Sequence, residues 1–133
     1  MDENAPRILV AEDNSVLADV LRFNLQRAGF DVTVATNGAV AISHLQQETF
    51  DLLITDFQMP GVNGEQLCKV IRGELQLDQL PILMCSAKGL ELDIGSLKSE
   101  YGVTQVISKP FSMREIVSLA QALTVAKPSS LHA

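Results

Sequence analysis

The fold is indicated by two stretches of the chain, RILVAEDN at residues 7–14 and DLLITD at residues 51–56. Each is a run of mostly apolar residues that ends directly in carboxylates, Glu12 and Asp13 in the first stretch and Asp56 in the second. Runs of this length and composition are typical of strands that are covered on both faces within a parallel sheet. We therefore expect two central strands whose carboxyl ends carry acidic side chains.

Short apolar segments alternate with segments of helical periodicity along the rest of the chain. The predicted strands are residues 7–11, 31–35, 51–55, 81–85 and 103–108. The second and the fifth contain polar residues, which suits the two edges of a sheet. This alternation predicts right-handed crossovers and an α/β fold with a doubly wound, five-stranded parallel sheet in the order 2-1-3-4-5.

Helices are expected in the gaps, and their ends are indicated by capping residues. Asn37, Asn63 and Ser112 are predicted to begin the second, third and fifth helices. Gly29 is predicted to end the first helix in a left-handed conformation. The fourth helix, around residues 90–100, is interrupted by glycine and is the least regular of the five.

The composition limits the kind of protein this is. The 133 residues include 16 acidic and 10 basic side chains, a net charge of −6, and 47% hydrophobic residues. This length suits one hydrophobic core, and the hydrophobic content excludes a disordered acidic tail. We predict a leader at residues 1–6, one domain at residues 7–126, and a flexible tail or the start of a linker at residues 127–133. Because the sequence has no basic stretch, nucleic acids and anionic membranes are not expected as direct partners.

The sequence carries no sign of export or membrane insertion. Its longest aliphatic runs have four residues, whereas a membrane helix needs about 20, and the acidic N-terminus lacks the apolar core of a signal peptide. Cys68 and Cys85 lie in apolar surroundings without metal-ligand spacing and are expected to be reduced and partly buried. We therefore expect a cytoplasmic protein.

Chemically active side chains follow four of the five predicted strands. They are Glu12 and Asp13 after the first strand, Asp56 after the third, Ser86 after the fourth and Lys109 after the fifth. Each has an ordinary explanation alone, as a turn residue, a helix-capping acid or a solvated lysine. In the predicted strand order, however, the first and third strands are neighbours at the topological switch point, so the three acids that follow them converge there. The Ser86 hydroxyl and Lys109 would lie beside these acids. The joint arrangement indicates a functional site.

The chemistry of this site follows from the crowding of its charges. Three neighbouring carboxylates repel one another unless one is protonated or a hard cation binds. Oxygen ligands without Cys or His suit Mg²⁺ or Mn²⁺, and a bound divalent ion would let the pocket accept a phosphate. Asp56 is the best candidate for a carboxylate that attacks phosphorus, with Glu12 and Asp13 left to hold the metal. Lys109 would offset charge on the phosphoryl oxygens, and Ser86 would donate a hydrogen bond to them.

Four stretches carry a resemblance to a known family. They are Ile8–Asn14, Asp51–Gly64, Pro81–Ala87 and Ser108–Phe111. They resemble the response-regulator receiver domains of two-component signalling, in particular single-domain, chemotaxis-regulator-like members with a flavodoxin-like fold. The resemblance covers residues 7–126. It implies that Asp56 accepts a phosphoryl group from a histidine kinase or a histidine phosphotransfer protein, and that the protein is a signalling switch rather than a turnover enzyme.

The resemblance also implies the remaining roles at the site. Mg²⁺ would be bound by Glu12, Asp13, Asp56 and the backbone carbonyl of Gln58, and the phosphoryl oxygens would be held by Ser86, the Ala87 backbone amide and Lys109. The Lys109–Pro110 peptide bond would be cis. Output to an unknown partner would pass through the face formed by the fourth helix, the fifth strand and the last helix.

Three further positions are predicted to modulate the switch. Gln58 and Lys88 each lie two residues after a site residue, so we expect them to border the path of attacking water and to tune the lifetime of the phosphoryl group. Val106 occupies the position, three residues before the lysine, where receivers usually carry Tyr or Phe. Coupling through an aromatic rotamer is therefore not expected here. The run Tyr101–Val106 also lacks the acidic residues that many receivers carry before the lysine.

Three alternatives remain at this point. A degenerate receiver could serve only as a protein-docking module, an interpretation that the valine at position 106 keeps open. An acid-nucleophile, Mg-dependent phosphatase would need a second acid two residues after the nucleophile, where this chain has Gln58. A nucleotide-binding protein would need a Gly/Ser/Thr phosphate cradle after the first strand, where this chain has acids.

Overall fold

A computed structural model describes residues 4–87 and 93–125 of the chain. The strands are β1 (Arg7–Ala11), β2 (Asp31–Ala35), β3 (Leu52–Asp56), β4 (Ile82–Ser86) and β5 (Gln105–Ser108). The α-helices are α1 (Ser15–Arg27), α2 (Gly38–Gln47), α3 (Gly64–Lys69), α4 (Ile94–Tyr101) and α5 (Met113–Val125). A π-helical turn, Val70–Glu74, continues directly from α3.

The five strands form one parallel sheet in the order β2-β1-β3-β4-β5, which confirms the predicted fold class and topology. The register places Ala11 opposite Thr55 and Asp56 opposite Cys85. Strands β1 and β3 are therefore adjacent, and the residues that follow β1 reach the same edge of the sheet as the end of β3.

The sheet separates two apolar layers, and alternate residues of each strand face opposite layers. In β1, Ile8 and Val10 pack with α1 and α5, whereas Leu9 and Ala11 pack on the side of α2, α3 and α4. All four side chains are fully or almost fully buried. Burial on both faces explains why the central strands read as continuous apolar runs.

The helix ends follow the predicted capping residues. The side chains of Asn37 and Asn63 accept hydrogen bonds from the backbone amides of Val40 and Gln66, at 2.9 and 2.8 Å. The Ser112 hydroxyl likewise accepts from a backbone amide in the first turn of α5, at 3.0 Å. After α1, Gly29 has a φ of 100°, as predicted for a left-handed helix end. The residues that stop and start these helices could be read from the sequence because capping is a local interaction.

Four elements differ from their predicted extents. Strands β3 and β4 are each shifted by one residue, to Leu52–Asp56 and Ile82–Ser86 instead of residues 51–55 and 81–85. The last strand begins at Gln105 rather than at residue 103, and α4 begins at Ile94 after an Asp93 cap rather than near residue 90. The part of the predicted fourth helix at residues 90–92 lies outside the described residues, as do residues 1–3 of the predicted leader and the predicted tail at residues 127–133.

The two cysteines are free and buried on opposite sides of the sheet. Cys68 lies in the layer with α2, α3 and α4, and Cys85 lies in the layer with α1 and α5. Within the described part of the chain, no helix is both long enough and apolar enough to cross a membrane.

Candidate functional site

The three acids predicted at the strand ends come together at the carboxyl edge of the sheet. Glu12 and Asp13 follow β1, and Asp56 is the last residue of β3. One carboxylate oxygen from each lies within 4.8 Å of the others. Glu12 and Asp56 are buried, with 3% and 8% of their surface exposed, whereas Asp13 is exposed. The cluster is thus a partly desolvated pocket with one open side.

Lys109, which directly follows β5, contacts the two buried acids at the same edge of the sheet. Its Nζ lies 3.1 Å from Asp56 Oδ1 and 3.4 Å from Glu12 Oε1. The Lys109 backbone amide donates to the Ser86 carbonyl at 2.7 Å, which ties the residue after β5 to the end of β4. Ser86 is itself buried. The predicted cis peptide bond between Lys109 and Pro110 is present.

Burial sets the protonation behaviour of the two inner acids. It is the largest cause that raises the pKa of Asp56, and the hydrogen bond and charge of Lys109 only partly oppose it. The pKa of Glu12 is raised mainly by burial as well, against a backbone hydrogen bond from Asn14 that lowers it. Burial would lower the pKa of Lys109, but the hydrogen bond and charge of Asp56 and then of Glu12 raise it. The free-energy cost of removing two carboxylates from water is therefore only partly offset by the charge of one lysine.

The donor chemistry of this cluster fits a hard divalent cation. It offers three carboxylates and, among the described residues that form it, no thiol or imidazole. Oxygen ligands of this kind suit Mg²⁺, which keeps some of its waters and binds through few protein carboxylates. The open side at Asp13 would leave room for those waters and for a phosphoryl group. The cluster can thus hold Mg²⁺ while Lys109 supplies a fixed positive charge.

The segment between β3 and α3, residues 57–63, forms the rim of the pocket, and we call it the β3–α3 loop. Together with Asp13, its residues line an open depression of about 470 Å³; these residues are Phe57, Gln58, Met59, Pro60 and Asn63. Gln58 is exposed and lines this depression. The neighbouring Met59 is buried and anchors the loop in the core.

Two residues near the site had no role in the sequence interpretation. The backbone amide of Asn14 donates to Glu12 Oε2 at 3.1 Å and so orients the buried carboxylate. At Gly64, a Cβ would lie 2.7 Å from the Asp56 carbonyl oxygen and 2.9 Å from the Phe57 Cα, so only glycine fits there. A glycine as the first residue of a helix, where it weakens the helix, is the sequence signal that points to such a close approach.

The structure describes two of the three remaining predicted positions, Ala87 and Val106. Ala87 follows Ser86 and is partly exposed, and Val106 lies in β5, partly buried against the layer with α2, α3 and α4. Lys88, predicted to tune the phosphoryl lifetime, lies outside the described residues.

Residues 8–121 match the family described as the response regulator receiver domain. The chain is also 38% identical over 128 residues to the phosphate regulon transcriptional regulatory protein PhoB of Rhizobium meliloti (strain 1021). That match covers 95% of this chain and 56% of the relative, so the chain spans little more than half the relative's length.

Solved structures with the same fold include receiver domains from different settings. The Vibrio cholerae chemotaxis protein CheY4 is 26% identical, with a TM-score of 0.81 over 90% of this chain and 98% of that one. The signal receiver domain of a signal transduction histidine kinase from Syntrophus aciditrophicus is 27% identical, with a TM-score of 0.79 over 96% and 93%. The family match covers most of the chain and contains all of the acids and the lysine described above. This protein belongs to the response regulator receiver domain family.

Proposed function

We propose that this protein is a phosphorylation-controlled switch in which Asp56 accepts a phosphoryl group in an Mg²⁺-dependent reaction. The observation that carries the proposal is the Lys109 ammonium placed between two buried carboxylates, Asp56 and Glu12, beside the exposed Asp13. A cluster built only for stability would not bury two acids against one base, because ionised carboxylates that are removed from water destabilise the fold.

The transfer step uses the chain's own residues in distinct roles. A carboxylate oxygen of Asp56 forms a bond to phosphorus while the bond from phosphorus to the donor breaks, and the released donor nitrogen or oxygen takes up a proton. Lys109 would offset the charge of the phosphoryl oxygens, and the Ser86 hydroxyl and the Ala87 amide would donate hydrogen bonds to them. Mg²⁺, held by Glu12, Asp13, Asp56 and the Gln58 carbonyl, would supply further positive charge for the same oxygens.

A small phosphodonor tests this step without a kinase. The chain is incubated with acetyl phosphate and Mg²⁺, and its intact mass is measured. We expect one phosphoryl group on the wild type, none on Asp56→Asn, and wild-type labelling of Asp19→Asn, a control that removes an exposed acid of α1. Labelling of Asp56→Asn, or no labelling of the wild type by acetyl phosphate or by any phosphorylated kinase, would contradict the proposal and favour the docking-module alternative.

The natural donor we propose is a phosphohistidine on a histidine kinase or on a histidine phosphotransfer protein. The bond from phosphorus to nitrogen breaks as the aspartyl phosphate forms, and the imidazole leaves as the neutral group once it is protonated. Transfer from a phosphorylated kinase domain to Asp56, followed as loss of label from the kinase, tests the donor class. We expect the chain to assist its own phosphorylation and dephosphorylation and not to turn over a separate substrate.

The output surface we propose is the face formed by α4, β5 and α5. An aspartyl phosphate carries about −1.5 to −2 charges beside Lys109 in place of the single charge of the carboxylate, and this change would bias an existing equilibrium between two arrangements of this face. Val106 in β5 is too small to act as an aromatic switch, so the movement would pass through Ser86 and the backbone link from Ser86 to Lys109. Amide chemical shifts of α4 and β5 with and without phosphorylation test this proposal. The cytoplasmic location remains a prediction of the sequence.

A further inference from the structure

The β3–α3 loop is held at both ends by the backbone. The Phe57 amide donates to the Cys85 carbonyl at 2.7 Å, and the Gly64 amide donates to the Phe57 carbonyl at 2.8 Å. Asn63 and Gln66 close the far end with reciprocal side-chain to backbone hydrogen bonds of 2.8 and 2.9 Å. Between these ends the loop is held by side-chain contacts of Met59 and Val62, and Gln58 lines the depression that Asp13 also lines.

One of those contacts is unusually close and comes from α2. A Cβ at Gly38, the first residue of α2, would lie 2.6 Å from the Val62 Cβ, 2.7 Å from the Val62 carbonyl oxygen and 2.8 Å from its Cγ1. Real Cβ atoms do not approach others this closely, so α2 and the loop touch at a distance that only glycine permits. Gly38 does not have a positive φ, so space and not backbone conformation requires the glycine.

If a side chain were added at Gly38, we expect the β3–α3 loop to move rather than α2. Helix α2 is anchored in the core by Ala41 and Leu45, both buried, along ten residues of helix. The middle of the loop is anchored by Met59, which is buried, and by Val62, which is only partly buried. An added methyl group at Gly38 would therefore push Val62, and with it the loop, more easily than it would lift the helix.

We infer that Gly38 is a positioning residue for the metal site. Its lack of a side chain lets the β3–α3 loop lie close enough to α2 to present Gln58 beside Asp13 in the same depression. Gly38 itself contacts no ligand and acts through Val62. The inference rests on the proposed function, because it assigns the Gln58 carbonyl to the Mg²⁺ site.

The test is the variant Gly38→Ala in the full chain, measured by calorimetric titration with Mg²⁺ and by backbone amide chemical shifts of the metal-free protein. We expect Mg²⁺ to bind about tenfold more weakly, in line with the effect of losing residues that support metal ligands. We also expect shifts at Gln58 and Met59 before any metal is added. Alanine favours a helix over glycine, so weaker binding would not come from a less stable α2.

Two matched controls separate positioning from general damage. Gly95→Ala places the same methyl group in α4, where its nearest described neighbour is an Asp93 side-chain oxygen at 3.5 Å, and should keep wild-type affinity. Leu45→Ala removes buried volume from the other end of α2 and should lower the melting temperature while affinity stays unchanged. Wild-type affinity of Gly38→Ala for Mg²⁺ would overturn the inference, and so would an equal loss of affinity in Leu45→Ala.

The outcome also distinguishes this inference from the proposed function. If the wild type binds Mg²⁺ and Gly38→Ala binds it equally well, only the inference fails. If the wild type binds no Mg²⁺, the proposed function fails, and the metal-free amide shifts still decide whether Gly38 sets the position of the loop. Should Gly38→Ala not fold, Val62→Ala tests the contact from the loop's side, with about threefold weaker binding expected and unchanged binding overturning the inference.

Discussion

Glu12 and Asp56 are acidic groups in surroundings that exclude most water. The sequence suggests that repulsion among three acids dominates this pocket, but burial is the larger cause of both raised pKa values, and the charge of Asp13 contributes less to that of Asp56. Relative to the unfolded chain, the folded protein therefore favours the neutral form of each acid. This stabilisation is fully present below the ordinary pKa values of 3.8 for Asp56 and 4.5 for Glu12, and it is lost as the pH rises through the raised values.

The variant Asp56→Asn should therefore be more stable than the wild type at neutral pH without Mg²⁺. We expect a melting temperature about 2–5 °C higher, because the amide is neutral at every pH and Lys109 keeps Glu12 as a partner. The difference should shrink below pH 4, where Asp56 is protonated. Calorimetry at pH 7 and pH 4 measures both effects, with Asp19→Asn as a control of exposed charge. A lower melting temperature at pH 7 would show that the ion pair with Lys109 outweighs burial.

A substitution at Gln58 tests whether the rim of the pocket controls the lifetime of the phosphoryl group. Its exposed amide lines the depression beside Asp13 and can orient a water by hydrogen bonding. Gln58→Leu should slow hydrolysis several-fold, since one such hydrogen bond is worth about 1 kcal/mol. The measurement is the decay of acetyl-phosphate-labelled protein followed by intact mass, with Gln46→Leu on α2 as the control. Lys88 is predicted to act with Gln58, and unchanged decay after replacing both residues would disprove the tuning role.

At the scale of the secondary-structure elements, the junction of α3 and α4 shows how one side chain can join two elements. The π-helical turn after α3 is closed by the Leu75 amide, which donates to the Val70 carbonyl five residues earlier at 2.9 Å. The turn carries Arg72, whose guanidinium donates to the carbonyl of Tyr101 at 2.7 Å and to that of Gly102 at 3.0 Å. It also donates to the Leu77 carbonyl. The bonds to Tyr101 and Gly102 satisfy carbonyls at the C-terminal end of α4, which no residue within that helix can pair.

Arg72→Ala should therefore lower the free energy of unfolding by about 1–3 kcal/mol, because it removes charge-assisted hydrogen bonds to partly buried carbonyls. Arg72→Lys should recover only part of this loss, since an ammonium group cannot match the spacing of a guanidinium. Chemical denaturation measures both variants. Arg22→Ala, which breaks an exposed pair with Asp19 on α1, should change stability by less than about 0.5 kcal/mol. Equal effects of Arg72→Ala and Arg22→Ala would contradict the assignment.

At the scale of the whole molecule, each of the two apolar layers contains one cysteine, and the reactivity of its thiol shows whether that layer opens. Burial raises the pKa of each thiol to about 12. At pH 8 the native protein should therefore react with a thiol reagent about a thousandfold more slowly than the protein in denaturant. Cys68 and Cys85 should become reactive together as the whole domain unfolds, because each lies under a different layer of helices. Rapid labelling of one thiol in the native protein would show that its layer opens on its own.

The sequence by itself determined the topology and the composition of the site. Strand periodicity, helix caps and acids at strand ends are local patterns that can be read from the sequence. Because parallel strands end at the same edge of a sheet, these patterns predict a cluster formed by Glu12, Asp13, Asp56, Ser86 and Lys109. The structure places the three acids within 4.8 Å of one another and the Lys109 ammonium within 3.4 Å of two of them, Asp56 and Glu12, as that rule requires.

Only the tertiary structure decided how deeply each charge is buried and which residues support the site from a distance. The ion pair of Lys109 and Glu12 joins residues 97 positions apart, and the contact of Gly38 with Val62 joins two helix–loop boundaries that have no shared pattern. Differences of less than one ångström decide whether a methyl group fits or a carboxylate keeps its charge. Packing of the whole chain sets such distances, because each depends on the volumes of many side chains at once.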